Sequence, residues 1–173
     1  MKEKYPFVSI IVPVYNGENN IRNCIESLID LDYPKEKTEI IVVDNNSKDN
    51  TSNIINEYPV IALTEKNIQS SYAARNTGIK KAKGEMIAFT DSDCIADKYW
   101  IRNAVKYFGE GNTGCVCGKI KGFSPSNYIE EYLINHGVLE RGTTRFLPYP
   151  QTANAIYRRQ VFEEIGLFEE YWV

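Results

Sequence analysis

Residues 8–28 read VSIIVPVYNGENNIRNCIESL, and the order of these letters decides the class of fold. Val8–Val14 is a short β-branched run without polar alternation, the pattern of a strand covered on both faces. Residues 15–20 are polar and contain a glycine. Ile21, Cys24, Ile25 and Leu28 then recur at helical spacing, so the stretch predicts strand, turn and helix.

The unit repeats downstream. Residues 39–43 (EIIVV) predict a second strand and DNNSKDNT a polar loop; Ile54, Ile55 and Tyr58 predict a helix that starts near Thr51 and is stopped by Pro59. A third strand follows at 60–63, then a third helix at 70–83 ended by Gly84, and a fourth strand at 85–90. Trp100, Ile101, Ala104, Val105 and Phe108 mark another amphipathic helix. This alternation predicts an α/β fold with a Rossmann-like, mostly parallel sheet and helices on both faces, because right-handed crossovers leave few other arrangements. Beyond Gly111 the rhythm changes. A strand is predicted at 115–120, a helical stripe at Ile129, Tyr132, Leu133 and His136, a strand near 153–157, and a helix carrying Val161, Phe162 and Ile165.

The chain has 173 residues, enough for one domain, and 43% are hydrophobic, enough for a core. A net charge of −3 argues against nucleic acid as a partner, since phosphate-binding surfaces are basic. No segment approaches the ~18 apolar residues of a membrane span. The four cysteines read as reduced, structural thiols, because three of them sit in apolar patterns. The expectation is a cytoplasmic protein.

In open parallel sheets ligands bind beyond the carboxyl ends of the strands. Tyr15 and Asn16 follow the first strand, Asp44 the second, and Asp91 and Asp93 the fourth. Residues two apart in extended chain face one side, so Asp91 and Asp93 can address one object together. Two adjacent carboxylates repel unless a cation joins them, and Mg²⁺ or Mn²⁺ relieves the repulsion while leaving positions for phosphate oxygens. An acidic turn capping the next helix, with Asp97 as N-cap, explains the pair equally well at this point. Arg75 reads either as a solvated helix charge or as a functional residue.

Other motifs lead nowhere. Gly109, Gly111 and Gly114 spell G-x-G-x-x-G, but between a helix and a strand, the reverse of the dinucleotide fingerprint. D-S-D-C-I-A-D lacks the ligand and glycine positions of a calcium loop. Cys115 and Cys117 have no partners at zinc spacing, and His136, the single histidine, has no neighbours for a catalytic triad.

Four segments in register, SIIVPVYNG (9–17), EIIVVDNNSKDNT (39–51), AARNTGIKKAKGEMIAFTDSD (73–93) and TANAIYRRQVFEEIGLFEE (152–170), resemble the family-2 nucleotide-sugar glycosyltransferases with the GT-A fold. The resemblance implies a single GT-A-like domain over 1–173, with a nucleotide-binding part at 1–110 and an incomplete acceptor-side part at 111–173. It implies a UDP, GDP or dTDP sugar as donor and Mn²⁺ or Mg²⁺ as cofactor. Pro13 and Tyr15 match the motif lining the base pocket, and Asp44 the carboxylate that accepts from the base ring. Arg75 falls beside the nucleotide, Asp91 matches the residue near ribose and diphosphate, and Asp93 the metal ligand. Asn154 matches a segment closing over the donor.

The family's base, which takes the acceptor's proton during inversion, usually lies in an acidic pair downstream of G-x-F-[DE]-E. That segment is matched here by Gly166, Phe168, Glu169 and Glu170, so the base is expected downstream of Val173. The implied acceptor is a saccharide, lipid or protein hydroxyl, as in polysaccharide synthesis, with peripheral membrane association at the inner face as an option. Two alternatives stay open: a nucleotide-sugar-binding module without turnover, and a phosphatase using Asp91 as nucleophile.

Overall fold

A computed structural model describes residues 5–109, 113–122, 129 and 151–171. Its elements run β1 (Val8–Val14), α1 (Ile21–Ile29), β2 (Thr38–Asp44), α2 (Thr51–Ile55), β3 (Ile61–Thr64) and α3 (Ser71–Lys81). They continue with β4 (Met86–Phe89), α4 (Trp100–Ala104), β5 (Cys115–Cys117), β6 (Ala155–Arg158) and α5 (Arg159–Ile165). The strands form one sheet in the order β3-β2-β1-β4-β6-β5. β1 to β4 are parallel, and β6 runs antiparallel to β4 and β5.

All seven residues of β1 are buried, which accounts for its unbroken apolar run. Val8, Ile10, Val12 and Val14 face the core that holds Ile21, Cys24, Ile25 and Leu28 of α1, Ile54 and Ile55 of α2, and Ile101 of α4. Ile11, Ile41, Val43, Ile87 and Phe89 share the other core with Ala74 and Ile79 of α3 and Phe162 of α5. Helices thus cover both faces, as the alternating pattern predicts. Each fully buried aliphatic or aromatic side chain contributes ~1.5–3 kcal/mol relative to exposure. At Gly78 a Cβ would stand 2.5 Å from Ile11 Cγ2, so α3 lies directly on β1.

Several boundaries differ from expectation. α3 stops at Lys81 with Ala82 as C-cap, not at Gly84. Gly84 serves a different need: a Cβ there would lie 2.5 Å from the Ser9 nitrogen and 2.8 Å from the Phe7 carbonyl oxygen, and its N–H donates to Ser9 Oγ at 2.8 Å. α2 ends at Ile55, before Pro59 is reached. β5 is confined to three residues, and Cys94, Cys115 and Cys117 are only half-buried; Cys24 alone of the four is a core thiol. Gly111, Tyr132, Leu133 and His136 lie outside the described residues.

The topology makes a crevice. From β1 the chain winds outward through β2 and β3, then returns to place β4 on the other side of β1, so successive connections part between β1 and β4. The β1–β4 ladder ends at the pair Ile11 and Phe89, with Thr90 N–H donating to the Ile11 carbonyl at 3.3 Å. Backbone groups alternate sides along a strand, so residue 13 turns its nitrogen toward β4. That residue is Pro13, which has no N–H to give, and the strands separate there.

Candidate functional site at the carboxyl ends of the strands

The loops after β1 and β2 are locked together. Asn16 and Asn46 adopt left-handed backbone conformations, φ 49° and 63°, which asparagine tolerates better than most residues. Asn16 N–H donates to Ser47 Oγ at 2.9 Å, and Lys48 N–H donates to Asn16 Oδ1 at 2.8 Å. Gly17 N–H donates to the buried Thr51 Oγ1 at 2.8 Å, and Glu18 exchanges bonds with Asp49 and Asn50 at 3.1 and 2.9 Å. Tyr15, half exposed, and Asp44, buried at the end of β2, are therefore carried by one stiff unit. Asp44 Oδ1 accepts from Ser47 N–H at 2.9 Å.

Across the crevice, Asp91 follows β4. Its Oδ1 accepts from Arg75 Nη2 at 2.5 Å, joining the start of α3 to the end of β4. The Arg75 side chain is 5% exposed and that of Asp91 38%. The Arg75 guanidinium also stands 5.7 Å from the centre of the Tyr72 ring, while its Nε has no partner. Pro13 is buried in β1 between the two halves.

Asp91 and Asp93 are not in extended chain: Cys94 N–H donates to the Asp91 carbonyl at 3.1 Å, closing a turn over 91–94. Asp91 is drawn inward to Arg75 and Asp93 is exposed, with Cys94 Sγ 3.8 Å from its Oδ1. Neither caps the following helix. Nor does Asp97: the N-cap is Tyr99, without a side-chain bond, and Asp97 accepts from Tyr99 N–H at 2.8 Å in the turn before the helix. Burial, with Asp93 and Asp91 adding to it, pushes the Cys94 thiol up to about 11. Burial first, then Cys94 and the same carboxylates, pushes Cys24 up to about 12, and its protonated Sγ donates to the Asp91 carbonyl at 3.5 Å.

Among the described residues no group of three or more His, Cys, Asp or Glu is gathered to hold an ion. The carboxylates of Asp91 and Asp93 are hard oxygen donors, the kind that Mg²⁺ and Mn²⁺ take. Asn154 is bonded through both ends of its amide. Its Oδ1 accepts from Trp100 Nε1 at 2.8 Å and its Nδ2 donates to the Lys119 carbonyl at 2.9 Å, so it ties α4 to the chain after β5.

Two polar side chains at this edge escaped the sequence reading. Asn45, buried, donates to the Glu65 and Ile68 carbonyls at 3.1 and 2.8 Å and fixes the loop after β3. Asn76, 1% exposed, donates to the Phe168 carbonyl at 2.8 Å and Glu170 Oε1 at 3.0 Å, and accepts from Phe168 N–H at 3.0 Å. The available signal was an asparagine adjoining each predicted site residue, Asp44 and Arg75.

The sequence matches Glycosyl transferase family 2 over residues 9–166. It is 34% identical to glycosyltransferase AglE of Haloferax volcanii, covering 100% of this chain and 59% of that protein. It is 37% identical to a poly(ribitol-phosphate) beta-glucosyltransferase of Bacillus spizizenii, over 68% of this chain and 19% of that one. Among solved structures, mannosyltransferase PcManGT of Pyrobaculum calidifontis, in complex with GDP-Man and Mn²⁺, superposes with a TM-score of 0.77 at 25% identity, covering 98% of this chain and 49% of that one. S. aureus TarS in complex with UDP-GlcNAc gives 0.72 at 26% identity, over 94% of this chain and 48% of that one. The chain thus spans about half the length of these solved structures. The mixed sheet with its β1–β4 crevice is the GT-A fold. Taken with the carboxylates and arginine at the crevice, these matches place the chain in glycosyl transferase family 2.

Proposed function

We propose that this chain binds a nucleoside-diphosphate sugar across the carboxyl ends of β1, β2 and β4, and that it is the donor-binding part of an inverting glycosyltransferase of the hexosyltransferase type. The observation that supports the reading is the placing of Tyr15, Asp44 and Asp91 at the carboxyl ends of β1, β2 and β4 on one sheet edge, with Arg75 of α3 bonded to Asp91. Asp44 keeps one oxygen on Ser47 and turns the other to an N–H of the base, while Pro13 and Tyr15 line the base pocket. Arg75 fixes the Asp91 carboxylate beside ribose and diphosphate. Asp91 and Asp93 hold the divalent cation, which when bound stabilises charge on the departing diphosphate. Asn154 belongs to the segment that closes over the donor, and its bond from Trp100 ties that segment to α4.

Residues 1–110 form the nucleotide-binding part in this reading, and 111–173 begin the acceptor side, sharing the sheet through the β4–β6 pairing. The acceptor is a saccharide, lipid or protein hydroxyl, and the chain works in the cytoplasm at the inner membrane face. No described helix is long and apolar enough to cross a membrane. The family match leaves the phosphatase alternative without support.

Calorimetry with UDP, GDP and dTDP, each with Mn²⁺ and with EDTA, tests the proposal. One nucleotide should bind in Mn²⁺ and be lost in EDTA. Absence of binding to all three refutes it, the binding-module variant included.

A further inference from the structure

The segment at 168–170 is held against the donor edge by contacts the donor site itself does not need. Asn76 grips the Phe168 backbone from both sides, N–H and carbonyl, and reaches on to Glu170. The Phe168 ring sits in a cluster with Phe89, Phe162 and Tyr72 at centroid distances of 5.6, 5.7 and 5.7 Å. Tyr72 is the ring against which the Arg75 guanidinium stands, and Arg75 in turn holds Asp91. A continuous line of contacts therefore runs from Asn76 through Phe168, Tyr72 and Arg75 to Asp91. Arg75 carries the single unsatisfied buried side-chain polar atom among the described residues, and its polar and ring partners there are the Asp91 carboxylate and Tyr72.

We propose that Asn76 is a positioning residue: it seats the segment at 168–170, and the seated segment, acting through Tyr72, holds Arg75 where a nucleoside diphosphate meets Asp91. Seating and nucleotide binding then stabilise one another, and the coupling is reciprocal by thermodynamic necessity. The inference rests on the donor-binding reading above.

Hydrogen exchange and calorimetry test it together, on the chain with UDP, GDP and dTDP at saturating Mn²⁺. In the unsubstituted chain the bound nucleotide should slow exchange of the 168–171 amides about fivefold or more. Asn76→Ala should speed that exchange and weaken nucleotide binding by a similar factor. Tyr72→Leu, at a partly exposed position, removes the ring between Phe168 and Arg75 but keeps the Asn76 bonds, and should weaken the nucleotide and abolish its slowing of 168–171 exchange, which a purely structural role for Asn76 does not predict. Nucleotide binding that leaves 168–171 exchange unchanged, with full affinity in Tyr72→Leu, overturns the inference and spares the donor-binding reading. Failure of all three nucleotides to bind removes that reading and the inference with it.

Discussion

Removing either partner of the Arg75–Asp91 pair should have unequal consequences, and the inequality follows from burial. The Arg75 side chain is 5% exposed, that of Asp91 38%, and they meet at 2.5 Å. Asp91→Ala leaves a buried guanidinium without its anion, and its Nε already lacks a partner. Breaking a fully buried pair costs ~3–5 kcal/mol; water reaching the Asp91 side relieves part of that, giving ~2–3 kcal/mol here. Arg75→Met fills the same space with apolar atoms and leaves a carboxylate that can hydrate. Its cost is the ring contact with Tyr72 and a modest electrostatic loss, ~1 kcal/mol together. For a chain of this size 1 kcal/mol corresponds to about 3 °C in Tm, so Asp91→Ala should melt about 6–9 °C lower and Arg75→Met about 3 °C lower. Urea and thermal unfolding in EDTA, followed by circular dichroism, measure both. The double variant strands no charge and should be no less stable than Asp91→Ala. If Arg75→Met is the more damaging single change, the assignment of Arg75 as a buried cation held by Asp91 is wrong.

Asp93 should behave in the opposite way, because it is exposed and makes only a 3.8 Å contact with Cys94. Asp93→Asn should change stability by no more than ~0.5 kcal/mol while abolishing the Mn²⁺-dependence of nucleotide binding; retained dependence in calorimetry removes Asp93 from the metal site. Cys24 supplies a pH signature. Its folded value of about 12 lies above the ordinary 9.0, so the unfolded chain releases the proton first. Its contribution is whole below pH ~9 and drains away by about 1.4 kcal/mol per pH unit as pH rises toward the folded value. Chemical denaturation between pH 8 and 11 should show a shallower decline in Cys24→Ala than in the unsubstituted chain, and parallel curves would contradict the burial argument.

What was legible in the sequence is what rests on local pattern. The run at 8–14 announces a strand covered twice because it lies inside the sheet with helices on either side. Asp44 and Asp91 are found because each polar letter follows an apolar strand. The rest depends on contacts between distant residues. Arg75 and Asp91 lie 16 residues apart in sequence, and only the packing of α3 on β1 brings them together. The turn at 91–94 that separates Asp91 from Asp93 is set by one backbone bond. Gly84 reads as a helix terminator, yet the demand on it comes from Ser9 of β1 and Phe7 just before it. Asn76 serves a segment 92 residues away, which no spacing rule could announce.

Pro13 gives the crevice a permanence that side chains alone would not. Two parallel strands in register form a zipper, and β1 and β4 have every reason to keep closing beyond Ile11 and Phe89. An imino acid at the next donor position on that side is a missing tooth: the Thr90 carbonyl finds no N–H across the gap, and pairing halts at the proposed donor site. The opening is written into the covalent chain, so it persists without any ligand to hold it apart.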